Sequence, residues 1–209
     1  IKEQYQEAVP ACLELINKME SRPAHEKDEN YFEILYLTSL AASRNNELII
    51  AGETYDKLFS ILDEHWEFID SELEQQSTAS DPTLLFRIFL SYADFLIDTN
   101  NAKLAKKILD KYYPLLKKNP RSNFTSFGGK DFLVIDYQLA LSNILLHLDW
   151  RNATQQEYLD AIEKLEDLIP AVTRLENSMG NIPPSRKYAQ RLAIYTTLSK
   201  FYSDSIIDK

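Results

Sequence analysis

The sequence predicts an all-α fold made of consecutive antiparallel helical hairpins, and three observations carry that prediction. Glycine occurs only 4 times in 209 residues, and Leu, Ala, Glu, Lys and Gln fill long unbroken stretches. Such side chains lose little rotamer freedom in a helix, whereas β-branched strand-forming runs are nearly absent. Apolar residues recur every three to four positions, and short polar breaks punctuate the pattern at lengths suited to neighbouring helices. With 44% hydrophobic residues the chain can build one sizeable core or a short stack of repeats.

About seven or eight helices follow in order. The first runs from about Glu3 to Glu20, with Tyr5, Val9, Cys12, Ile16 and Met19 at helical spacing and a kink or restart expected at Pro10. The second is capped by Asn30 and ends near Arg44. The third starts after Asn46, carries Tyr55, Leu58, Phe59 and Leu62, and extends through Trp66 and Phe68 to about Gln75. Ser77-Thr-Ala-Ser-Asp81-Pro82 is a polar linker ending in an N-cap and a first-turn proline, which starts a fourth helix that reaches about Ile97. Asn100-Asn101 turns the chain into a helix from Ala102 to Lys118 that Pro114 should bend. Asn119 to Gly129 is the longest loop. Asp131 to Leu148 and Thr154 to about Asn177 then pair around Asp149-Trp150-Arg151-Asn152. A last helix, about Ser185 to Ile207, follows Pro183-Pro184 and carries Tyr188, Leu192, Tyr195 and Tyr202 on one face. The whole of residues 1–209 is expected to be a single domain, and the opening Ile1 in place of Met predicts that it belongs to a longer polypeptide.

A shift of 54 residues superimposes the second and third helices on the fourth and fifth. Ile34 falls on Ile88, Asn46 on Asn100, Ala51 on Ala105, and Tyr55-Asp56-Lys57 on Leu109-Asp110-Lys111. Small residues matched at a helix crossing, with matched apolar residues downstream, are what stacked hairpins require. In the second hairpin the small residues are Ala93 and Ala105, flanked by Phe89, Tyr92, Leu96 and Leu109. In the first they are Ser39 and Ala51, flanked by Leu35, Thr38, Ala42 and Tyr55. Over roughly residues 31 to 118 this pattern resembles the tetratricopeptide family, whose unit of about 34 residues places small residues near its eighth and twentieth positions. Neither hairpin has that family's turn glycine, its closing proline is matched only by Pro120, and the intervals are longer. The resemblance implies a short superhelix that binds other proteins. It does not extend to the carboxylate clamp of some chaperone-docking members. The matching inner positions are Glu33, Tyr36, Leu40 and Ser43, then Arg87, Leu90, Asp94 and Ile97, with one cation among them. Tyr36, Leu40, Leu90 and Ile97 would instead line an apolar groove suited to a helix or extended segment, from a partner or from the final helix.

The residues outline no catalytic centre, so the chain is read as no enzyme. His25, His65, His147 and Cys12 lie far apart without paired ligand spacing, and neither a metal nor a cofactor is expected. Gly128-Gly129 lacks the phosphate-loop pattern, and the many carboxylates read as solvated helix faces. One cysteine forms no internal disulfide, which fits a reducing cytoplasm or nucleus. No apolar run approaches the roughly 18 residues of a membrane span.

Charge is uneven. Residues 1–76 hold 17 acidic and 6 basic side chains, whereas residues 102–130 hold 8 basic and 1 acidic. Lys103, Lys106, Lys107, Lys111, Lys117, Lys118, Arg121 and Lys130 form this basic island. They mark either a partner site or a solvated stripe that complements the acidic first hairpin. Trp150, at a turn tip, is a further candidate anchor. These features point to a non-catalytic scaffold that binds a protein or peptide, either acidic or with an apolar helix. The alternative is a peptide- or small-molecule-sensing regulatory domain of a larger signalling or transcription protein. Nucleic acid ranks last as a partner, and the oligomeric state stays open.

Overall fold

A computed structural model describes residues 2–21, 29–64, 82–118, 129–148, 153–178, 180 and 183–203, and among them every regular element is a helix. In chain order these are α1 (Lys2–Glu20), α2 (Glu29–Arg44), α3 (Leu48–Glu64), α4 (Pro82–Asp98), α5 (Ala102–Lys118), α6 (Gly129–His147), α7 (Gln155–Ser178), the single turn α8 (Pro184–Lys187) and α9 (Ala189–Ser203). The expected all-α class of helical hairpins is therefore the observed one. The expected continuation of the third helix through Trp66 to Gln75 and the turn carrying Trp150 lie outside the described residues. α1 runs through Pro10 without restarting, and α5 and α7 likewise run through Pro114 and Pro170. The last helix is not one piece, because a turn at Tyr188 separates α8 from α9.

The chain divides into two compact units, residues 1–91 and 92–209, with the boundary inside α4. In the first unit α2 packs against both α1 and α3. Val9, Ile16, Tyr31, Leu35, Ala42, Tyr55, Leu58 and Leu62 form its core, and Phe59 and Phe89 meet with ring centroids 5.7 Å apart. Hydroxyl residues enter this core without an orphaned donor. Thr38 donates to the Ile34 carbonyl at 2.7 Å, Ser39 to Leu35 at 2.8 Å and Thr54 to Ile50 at 2.6 Å. At the edge, the Glu20 carboxylate takes the Tyr31 hydroxyl at 3.1 Å and pairs with Lys57, tying α1 to α2 and α3.

In the second unit α6 packs against α5 and α7, and α9 packs against α6 and α7. Ile135, Ile144, Leu145, Tyr158, Leu165, Ile194, Leu198 and Phe201 are buried together in it. Tyr158 meets Phe201 edge-on at 6.1 Å, and its hydroxyl donates to the Leu145 carbonyl at 3.0 Å. Gln190 of α9 donates to Asp136 of α6 at 2.9 Å. Burial nonetheless pushes that carboxyl above its usual range, with the Gln190 bond opposing the shift.

The turns between α2 and α3 and between α4 and α5 have the same construction. The Glu47 N–H donates to the Ala42 carbonyl at 2.8 Å and the Asn46 N–H to Ser43 at 3.1 Å, while Asn101 and Asn100 donate to Leu96 and Ile97 at 2.6 and 3.0 Å. This is the Schellman arrangement, and it requires a left-handed residue just after the helix. Asn46 (φ 64°) and Asn100 (φ 61°) supply it, asparagine being among the few non-glycine residues that adopt this conformation at modest cost.

Candidate functional site

Several large apolar side chains are exposed among the described residues, and four of them lie together near the end of the chain. Tyr188, Leu192, Tyr195 and Tyr202 are all exposed, Leu192 at 68%, whereas Ile194, Leu198 and Phe201 on the adjoining side of α9 are buried. The exposed four recur at intervals of four, three and seven residues, so they share one stripe spanning 14 residues, or about 21 Å of helix. α9 thus carries one broad apolar arc, of which Ile194, Leu198 and Phe201 are buried and the remainder is exposed.

Polar links fix which side faces outward. Arg191 Nη2 lies 3.2 Å from Glu176 Oε2, and Glu176 is 3% exposed, so this pair anchors α9 to α7 through a desolvated carboxylate. Tyr202 donates its hydroxyl to Glu166 Oε1 at 2.7 Å, and this bond holds the phenol above its ordinary pKa. Lys187 and Arg191 stand over the Tyr188 ring at 5.8 and 5.0 Å, within cation–π range. From Pro183 to Ser203 the sequence holds Arg186, Lys187, Arg191 and Lys200 and no carboxylate. The stripe is therefore an aromatic surface with cations at its Tyr188 end and the Glu166 carboxylate at its Tyr202 end.

The residues singled out by the sequence fall elsewhere. Tyr36 and Ile97 are buried, and Leu40 and Leu90 are half-buried. In the basic island, Lys103, Lys107 and Lys111 are exposed along α5. Lys111 Nζ lies 4.7 Å from the Tyr112 ring centroid. Lys106 is half-buried, with its ammonium 2.9 Å from Asp110 Oδ2 and 3.3 Å from Glu157 Oε1 of α7. The Asp110 bond leads in raising its pKa, so the charge is held. Lys117, Lys118 and Lys130 lie on helices, but their side chains are outside the described set, as are Arg121 and Trp150. The cationic edge of α9 was not legible in the sequence, because basic residues spread this thinly along a helix look like ordinary solvated charge.

Among the described residues, no group of three or more His, Cys, Asp or Glu side chains is arranged to hold a metal ion. No described helix is long and apolar enough to cross a membrane. Compared with protein-family models, curated proteins and solved structures, the chain matches none.

Proposed function

We propose that this chain is a protein-interaction scaffold and that the α9 stripe is its docking face. The observation that carries this reading is the exposure of Tyr188, Leu192, Tyr195 and Tyr202 along a helix whose adjoining face is packed. A contiguous aromatic stripe in water is costly unless something covers it. The occupant that fits is an amphipathic helix from a partner, laying Leu- or Phe-rich positions along the stripe with Asp or Glu at its margins. Those carboxylates meet Lys187 beside Tyr188, while Arg191 is already held by Glu176 and the Tyr202 end of the stripe carries the Glu166 carboxylate. A contact made by a single helix stripe about 21 Å long offers few anchors, so micromolar affinity is the expected regime.

A displayed library of helical peptides tests this. Enriched peptides should carry an apolar stripe edged with Asp or Glu and should lose at least about tenfold in affinity on Leu192→Asp or Tyr195→Asp, a deficit of roughly 1.4 kcal/mol. Charge reversal of Lys103, Lys107 and Lys111 should leave them unaffected. Peptides that respond to the lysine reversal and ignore Leu192→Asp would move the docking face to α5 and end this reading.

A further inference from the structure

Two buried polar atoms on α6, Gln138 Nε2 and Ser142 Oγ, have no hydrogen-bond partner among the described residues, but both are sealed from solvent and offer a ligand no approach. What the second unit presents lies on α9 and on the row of α7 beside it. Glu166 meets Tyr202 near one end of α9 and Glu176 meets Arg191 near the other, so α7 runs antiparallel to α9. Ile169 and Thr173 fall on the same α7 row between those two glutamates, and both are half-buried. The open face is therefore the tyrosine and leucine stripe of α9, with this α7 row along one margin.

The face is charged differently at its two ends. Lys187 and Arg191 stand by the Tyr188 ring. Glu166 sits at the Tyr202 end, and Glu163, one turn further along α7, is exposed as well. Arg191 and Glu166 each span from one helix to the other, so both charges lie on the α7 margin of the stripe. Neither is used up by its present contact: a carboxylate that accepts one phenol hydrogen keeps most of its acceptor capacity, and a guanidinium has five N–H donors. The apolar residues are symmetric as well, because Tyr188 and Tyr202 each lie seven residues from Tyr195.

A face with opposite charges at its ends and a symmetric apolar row is complementary to itself. Rotation by half a turn about an axis lying in the contact plane and crossing α9 at Tyr195 reverses the second copy end for end and keeps each margin on its own side. Tyr195 then meets its own copy, Tyr188 meets Tyr202, and the Lys187 and Arg191 end of each copy meets the Glu166 end of the other. A parallel pairing sets like ends side by side. We infer that the α9 face pairs with the same face of a second copy, antiparallel and centred on Tyr195, in a weak dimer that covers the stripe until a partner helix displaces it. The inference rests on the reading of α9 as a docking face. The chain's formal net charge of −9 opposes the approach of two copies in general, and a face one helix wide buries little area. Dissociation constants of about 10–200 µM are the expected regime.

Sedimentation velocity of the full chain from about 5 to 500 µM tests the pairing. The parent should pass from monomer to dimer and stop there, because a self-complementary face is consumed when two copies meet. Leu192→Asp and Tyr195→Asp should each weaken dimerisation at least about tenfold. Both side chains are exposed, at 68% and 50%, so thermal unfolding should show the variants folded. Lys187→Glu and Glu166→Lys should each weaken the dimer about threefold or more, and the double variant should return to within about twofold of the parent, since the exchanged charges still meet end to end. Helical peptides that bind the stripe should dissociate the dimer. A chain that stays monomeric to about 500 µM, a dimer that survives Leu192→Asp or the bound peptide, or charge reversals that the double exchange does not rescue would overturn the inference. A monomer that still binds helical peptides in a Leu192-dependent way would end this inference and leave the docking face standing. A stripe-dependent dimer for which no peptide is enriched would do the reverse.

Discussion

At the α2–α3 turn and at the α4–α5 turn the chain makes the same backbone bonds around an asparagine of positive φ, and behind each turn the same positions are buried. Ser39 and Ala51 in one hairpin, and Ala93 and Ala105 in the other, are fully enclosed, as are Tyr55 and Leu109. The outward positions have diverged. Ile49, Gly52 and Glu53 stand where Lys103, Lys106 and Lys107 stand 54 residues later. The frame is constrained because a crossing of two helices tolerates little volume change, while the solvated face is not, because exposed charge costs little to gain or lose. Lys106 is the exception among these outward positions, since it spans from α5 to Glu157 on α7, whereas Gly52 has no side chain with which to do the same.

The equivalence of the two hairpins faces its severest test at the matched core residues. Tyr55→Ala and Leu109→Ala should each lower stability by about 2–5 kcal/mol in denaturant unfolding, the range for large buried side chains truncated to Ala. A loss below about 1 kcal/mol at either site would mean that only one hairpin uses this position as core. Next come the crossings. Ala51→Leu and Ala105→Leu should each cost about 1–3 kcal/mol through overpacking, and equal values would strengthen the equivalence.

The turns test the backbone alone. Asn46→Ala and Asn100→Ala should each cost about 1 kcal/mol because Ala resists the left-handed region, and the Gly variants should be neutral or slightly stabilising. A turn indifferent to Ala would not need positive φ. The smallest effect concerns the divergent face. Lys106→Met should cost no more than about 0.5 kcal/mol, since the bridge is partly exposed and screened by salt.

The pH dependence of that bridge has a definite sign. The Thr154 backbone bond, with help from Lys106, holds the Glu157 carboxyl below its usual 4.5. Its contribution is therefore complete above that value and disappears as pH falls through the lower folded-state value. Lys106 is shifted the other way, chiefly by its hydrogen bond to Asp110, so its contribution persists below 10.5 and is lost as pH rises through the higher folded-state value. The difference in stability between parent and Lys106→Met should accordingly be flat through neutral pH and shrink at both extremes.

Much of the frame was legible in the residues. Asn46 and Asn100 marked both turns, and the matched small residues marked both crossings. Gln138 was legible in principle as well: it occupies a core register between Ile135 and Leu145, where a polar side chain signals an unusual environment. The α9 stripe was only half legible. Tyr188, Leu192, Tyr195 and Tyr202 were assigned to one face, but spacing alone cannot say whether that face is packed, because Ile194, Leu198 and Phe201 make the adjoining face equally apolar.

The helices, their order and their turns follow from the residues alone, because 3.6-residue periodicity, capping residues and left-handed asparagines act over a few neighbouring positions. Tertiary packing was needed to settle which apolar face stays open, which lysine of the basic island is held by two carboxylates, and which buried amide goes without a partner. Those outcomes depend on side chains such as Lys106 and Glu157, or Glu176 and Arg191, that are distant in sequence and meet only when whole helices have docked.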